Sequence, residues 1–275
     1  MTALIREWRL PITAVIGLLA SGCAVRPTNP AFPVDVESAR SRIREMQARP
    51  TELARPIVIL NGWFEPGITT SHLKGVFRPA FEPDRIISVS FFLDQSYDKC
   101  RRKVVAAVDK AFPSTDPVWT TEVDVVAVSM GGLVARYAAM EMPGCRRLRI
   151  ARLFTISTPH RGARSAKLPT LDPLVQGMRR GSDFLRMLDK ALEHAGYEII
   201  PYVRLEDSIV GAKNAAPSPQ HPWWVPNRPL ELAHIQCGGD PRIVADIMLR
   251  LRGDTPFSQE PRAPIPATDP PPADR

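Results

Sequence analysis

The run Val123-Asp124-Val125-Val126-Ala127-Val128-Ser129-Met130-Gly131-Gly132-Leu133-Val134-Ala135-Arg136-Tyr137 constrains the fold more than any other part of this chain. It begins as an apolar stretch rich in β-branched residues, the mark of a buried strand. After Ser129 the apolar spacing becomes helical. A strand that passes into a helix through a single residue must turn sharply. Little room is left around its backbone, so small residues are needed two positions to either side of the turn. Ala127 and Gly131 occupy those positions. A hydroxyl at such a turn projects from the carboxyl end of its strand, where ligands gather in open α/β sheets.

The neighbouring segments repeat the pattern. Residues 56–60, 85–92, 153–156, 198–205 and 230–232 read as further strands. Residues 36–48, 99–112, 131–141, 182–194 and 240–251 carry apolar side chains at helical spacing. Strands alternating with helices predict an α/β fold with a doubly wound, mostly parallel sheet. The domain proper is expected over 51–252, behind a tether and helix over 23–50. Residues 161–195 break the alternation and form a candidate cap. Residues 207–228 contain Pro217, Pro219, Pro222 and Pro226 and read as a long loop. The proline-rich, polar residues 253–275 are expected to be disordered.

The first 22 residues read as an export signal. Arg6 and Arg9 precede an apolar run over 12–20 that is too short to span a bilayer. Ala20-Ser21-Gly22-Cys23 resembles a bacterial lipoprotein signal, with Cys23 as the lipidated residue. Ala20 departs from the leucine preferred there, and an ordinary secretory signal is the alternative. A lipid on Cys23 would hold the chain at a membrane without a spanning helix. Ala24 is not the aspartate associated with inner-membrane retention. The expected location is the bacterial cell envelope, with the outer membrane favoured and a periplasmic or secreted protein as the alternative.

A content of 44% hydrophobic residues in 275 suits one α/β domain with a sizeable core. The formal charge of +7 is dispersed, and no basic stripe interleaved with aromatics points to nucleic acid. With Cys23 lipidated, Cys100, Cys145 and Cys237 remain. In an exported protein one disulfide among them is expected, with the pair left open. No C-x-x-C or His/Cys cluster argues for zinc, and neither a metal nor a cofactor is expected.

A serine hydroxyl is a weak nucleophile that needs a base, and the base needs an orienting acid. Both belong on loops after strands, in chain order serine, acid, histidine. Asp207, after the fifth strand, is the candidate acid, with Glu206 as the alternative. The chain offers five histidines. His72 and His160 follow earlier strands, His194 ends a helix, and His221 lies among prolines. His234 sits before the last helix and is the candidate base. An oxyanion needs preorganised N–H donors. Met130 supplies one, and the turn Asn61-Gly62-Trp63 supplies the other, at Trp63. Trp63 and Phe64 could line an acyl pocket, with plain core packing as the alternative.

The stretch 124–137 resembles the nucleophile elbow of the α/β-hydrolase lipases and esterases. Ser157-Thr158-Pro159-His160-Arg161-Gly162-Ala163 is similar to the T-P-H-x-G segment of the same group. Arg180-Gly181-Ser182-Asp183-Phe184-Leu185 is similar to the helix that follows it. His234-Ile235-Gln236 with Asp240-Pro241-Arg242-Ile243-Val244 resembles the histidine loop and final helix. The resemblance covers roughly residues 55–252 and implies a Ser129–His234–Asp207 triad acting on an acyl ester or lipid at a membrane. It also implies a structural or pocket-lining part for His160. Ala127, Val128 and Asn61 depart from the family pattern. Two rival expectations stand beside the hydrolase. One is an acyltransferase using the same triad. The other is an envelope binding module whose catalysis is impaired at Asn61 and Ala127.

Overall fold

The computed structural model describes residues 27–228 and 231–266. The export signal and Cys23 lie outside the described residues. Within them, chain order gives α1 (Val36–Ala48), β1 (Ile57–Leu60), α2 (Ile68–Phe77), β2 (Ile86–Val89), α3 (Tyr97–Ala111), β3 (Val123–Val128), α4 (Met130–Ala139) and β4 (Ile150–Ile156). There follow α5 (Pro173–Gly177), α6 (Asp183–Leu192), β5 (Glu198–Arg204), β6 (Trp223–Val225) and α7 (Pro241–Arg252). The strands form one six-stranded sheet in the order β2-β1-β3-β4-β5-β6, and every pair is parallel. All carboxyl ends therefore share one rim.

Alternation along the strands splits the core in two. Val58, Leu60, Val125 and Ala127 pack with Val104 of α3, Leu133 of α4 and Leu185 of α6. Ile57, Ile59, Val126 and Val128 pack with Ala39 of α1, Leu73 of α2 and Ile243 of α7. This is the doubly wound sheet expected of strands buried on both faces.

Four expectations give way. The last strand is Trp223–Val225, not 230–232. Residues 229–230 lie outside the described residues, and 231–232 are loop. Three buried β-forming residues inside the proline-rich stretch suffice to pair with β5. Helix α2 was not expected. It starts where Glu65 Oε1 accepts the Gly67 and Thr69 N–H groups. The supposed tether packs on the sheet edge: Phe32 lies against Tyr202 and Trp223, and Asn29 Nδ2 donates to the Trp224 carbonyl at 2.7 Å. Of the tail expected to be disordered, 267–275 lie outside the described residues, while the described part packs against the domain. Ser258 is buried and donates twice to Asp246, and Gln259 N–H donates to the Ala31 carbonyl.

The expected disulfide is also absent among the described residues, where Cys100, Cys145 and Cys237 are free thiols. Cys100 and Cys237 lie in the two cores on opposite faces of the sheet, so they cannot meet. Burial pushes both thiols up to about 12.

Candidate functional site

The strand-to-helix turn forms where the sequence places it. Ser129 lies between β3 and α4 with φ 52° and ψ −127°, a conformation rarely adopted by a residue with a side chain. Packing on three sides holds it there. Its N–H donates to the Ile156 carbonyl at 2.8 Å, and its own carbonyl accepts the Thr158 hydroxyl at 2.7 Å. On the helix side two glycines let the backbone close in. A Cβ on Gly131 would stand 2.5 Å from the Asn61 carbonyl oxygen, and one on Gly132 would stand 2.3 Å from Thr158 Oγ1. Ala127 causes no such conflict, since its methyl is absorbed in the α3/α4 core.

His234 reaches this serine from the loop before α7. Its Nε2 lies 3.1 Å from Ser129 Oγ, and its Nδ1 lies 2.8 Å from Asp207 Oδ2. Asp207 is buried three residues beyond β5. Its other oxygen accepts the Ile209 and Val210 N–H groups at 3.0 and 2.9 Å. Burial works against the charged carboxyl, but the His234 hydrogen bond and charge, with the Val210 N–H, outweigh it. The pKa is held below the usual carboxylate range. An ionised Asp207 can only accept, so the proton it receives belongs to Nδ1 and Nε2 is left free to take one from Ser129. Glu206, the other acid considered, faces solvent.

The turn after β1 closes on the serine from the opposite side. A Cβ on Gly62 would meet Ser129 Cβ at 3.0 Å. The buried Asn61 side chain explains how the turn is held. Its Oδ1 accepts the Phe91 N–H, and its Nδ2 donates to Ser90 Oγ and to the Glu65 carbonyl. Asn61 thus ties the ends of β1 and β2 together. Met130 opens α4, so its N–H has no acceptor within the helix. Trp63 and Phe64 flank a cleft of about 340 Å³ with Phe91, Leu93 and Asp172, and Trp63 Nε1 donates to Asp172 Oδ2 at 2.7 Å. Phe64 is 60% exposed, so it is not core packing. A larger groove of about 960 Å³ lies by the amino ends of β3 and β4, away from the serine.

His160 does not line the site. It is 0% exposed, with Nδ1 3.2 Å from Arg136 Nη1 and Nε2 3.1 Å from Thr155 Oγ1. An arginine can only donate, which fixes the ring proton on Nε2. Burial, then the charges of Arg136 and Arg161, hold its pKa well below the usual value. Of the structural and pocket-lining parts expected for it, burial leaves the structural one. Sequence reasoning did not find the pins at Thr158 and Asp172, because each acts through a hydrogen bond to a distant segment. Thr158 at least stands in the T-P-H-x-G segment.

Sheet, elbow and histidine loop together define the α/β-hydrolase fold. No family model and no curated protein matches the chain. Among solved structures, the propeptide form of Bacillus licheniformis lipase BlEst2 superposes with a TM-score of 0.51 at 14% identity, covering 80% of this chain and 53% of that one. Aspergillus fumigatus lipase B gives 0.43 at 15% identity, covering 86% and 71%. Phospholipase PlaB from Legionella pneumophila, in complex with thio-NAD, gives 0.42 at 15% identity and covers 57% of this chain. This chain spans 38% of that phospholipase's length. The likeness to the Bacillus lipase is one of fold.

Proposed function

We propose that this protein is a serine hydrolase of carboxylic esters, with acyl or lipid esters as its substrates. The observation that carries the reading is the continuous hydrogen-bonded chain from Ser129 through His234 to buried Asp207. In this reading Ser129 Oγ attacks the ester carbonyl carbon as its proton passes to His234 Nε2. Asp207 holds the imidazole and balances its charge. The Met130 and Trp63 N–H groups receive the oxyanion. Collapse expels the alcohol, which takes the proton from His234, and leaves an acyl group on Ser129. Water then attacks the acyl-enzyme through the same base and releases the acid.

An apolar ester suits the surface around the serine. Phe64, Leu93, Leu168, Leu171, Leu232 and Ile235 are each more than half exposed, and all lie on loops beyond the carboxyl ends of strands. Exposed apolar residues gathered on one rim mark a contact surface. The cleft beside Trp63 and Phe64 is proposed to take part of the substrate. Lipidation at Cys23 would bring this rim to a membrane of the cell envelope. Incorporation of labelled fatty acid that persists in Cys23→Ser would remove that anchor from the proposal.

The test is a fluorophosphonate probe with a panel of esters of graded chain length, run on wild type and Ser129→Ala. Labelling and turnover are expected in wild type and absent from the variant. A folded wild type that neither labels nor turns over any ester would refute the reading.

A further inference from the structure

We infer that Arg204 is a positioning residue that fixes the His234 loop to the strand carrying the acid; this rests on the triad reading above. His234 lies between β6 and α7, in a segment whose described residues hold a single three-residue 3-10 turn, Cys237–Gly239. Loops of this kind are ordinarily the mobile part of a fold. A base must nonetheless be held to within about 0.5 Å of its working geometry.

The guanidinium of Arg204 supplies the constraint. It sits at the end of β5, fully buried, and reaches two carboxylates that bracket the histidine. Nη2 donates to Glu231 Oε2, three residues before His234. Nε donates to Asp240 Oδ2 at 2.9 Å, six residues after it. Each carboxylate is held by a second arginine, one in the loop and one in the first turn of α7. Arg228 donates to Glu231 Oε1, and Arg242 donates to both oxygens of Asp240. Asp240 also caps α7 by accepting the Arg242 N–H. Three residues after Arg204 the same strand delivers Asp207. A single side chain therefore ties the base's loop at both ends to the backbone that carries the acid.

Buried ion networks contribute little net stability, because desolvation cancels most of the Coulomb attraction. What they fix is geometry. The planar fork donates to the two carboxylates from separate nitrogens in a fixed geometry, Nε to Asp240 and Nη2 to Glu231. A lysine has the charge but not the fork.

The experiment compares wild type, Arg204→Lys and Glu231→Gln in steady-state ester hydrolysis, with melting temperature and circular dichroism as fold controls. Arg204→Lys is expected to lower kcat by tenfold or more and Glu231→Gln by about threefold, with KM within twofold. The rate of fluorophosphonate labelling is expected to fall by the same factors. A merely structural role would lower the melting temperature and the folded fraction, leaving turnover per folded molecule unchanged. The inference is overturned if folded variants keep kcat within twofold, or if the loss falls on KM. If Arg204→Lys does not fold, Glu231→Gln decides alone, since its side chain is only partly buried and its amide keeps the shape. A wild type inactive on every ester and unlabelled by the probe refutes the hydrolase reading itself. An active wild type with unaffected variants refutes only the clamp.

Discussion

Replacing Gly131 with alanine tests the packing that places the turn after β1 against the serine. Gly131 is helical, so alanine suits its backbone, and elsewhere in a helix the change would stabilise by about 1 kcal/mol. Here the added Cβ would stand 2.5 Å from the Asn61 carbonyl oxygen and 3.0 Å from that of Leu60. Both are backbone atoms, so no side chain can swing aside. Overpacking of this kind costs roughly 1–3 kcal/mol, and a rigid partner puts it at the upper end. The net loss is then about 2 kcal/mol. Gly75 of α2 provides the control, since a Cβ there meets nothing within 4 Å. Gly75→Ala is expected to gain up to about 1 kcal/mol. At about 2–4 °C per kcal/mol for a chain of this size, the two melting temperatures should differ by roughly 6–12 °C. Activity should diverge further. The Asn61 carbonyl moves with Gly62 and Trp63, and a displacement of about 1 Å at a catalytic group costs about a hundredfold in rate. Thermal melts and ester turnover measure both effects. A Gly131→Ala protein as stable and as active as wild type would show that the elbow and the turn are not in contact.

Three further outcomes are expected. His160 is held neutral in the fold with its pKa below the unfolded value of about 6.5, so the unfolded chain takes up the extra proton. Stability present above that pH is lost as pH falls, by up to about 1.4 kcal/mol per unit. His160→Gln should flatten that slope in denaturant melts at pH 7, 6 and 5, and equal slopes would contradict the buried neutral ring. Removing everything after Gly253 deletes the Ser258 and Gln259 hydrogen bonds, worth roughly 2–3 kcal/mol together. An unchanged melting temperature would restore the expectation of a disordered tail. In a Cys23→Ser protein, a thiol reagent should label Cys145 in the native state and reach Cys100 and Cys237 only on unfolding. Native labelling of either buried thiol at a comparable rate would contradict their placement.

The parallel sheet was legible because each central strand is an apolar run bounded by a helical pattern, and period alone separates the two. Asp207 and His234 were legible by position, since chain order and the ends of strands leave few candidates. The last strand was misplaced because three residues carry too little pattern to outweigh four nearby prolines. The tail was misread for a related reason. Composition reports how polar a segment is, but the burial of Ser258 depends on a buried Asp246 that presents two oxygens to it. Arg204 was hidden in the same way. A lone arginine at a strand end looks solvated until Glu231 and Asp240 are found folded over it. The expected pocket role of His160 came from a resemblance, and the spacing of Arg136 and Thr155 gave no warning that both ring nitrogens were already engaged.

Among the described residues, four with side chains hold a positive φ: Phe64, Leu93, Ser129 and Ser157. They follow β1, β2, β3 and β4 respectively, all on the rim where the serine lies. Conformations of this kind cost on the order of 1–3 kcal/mol each. Anyone hardening this protein against heat would find the easiest gains there, with glycine or asparagine at Phe64 or Leu93 relieving the backbone. Those exchanges would also remove side chains that line the cleft proposed to take part of the substrate. On the proposed function, the rim that holds these strained residues is also the rim that would carry turnover, so stabilising changes there are the ones expected to cost activity.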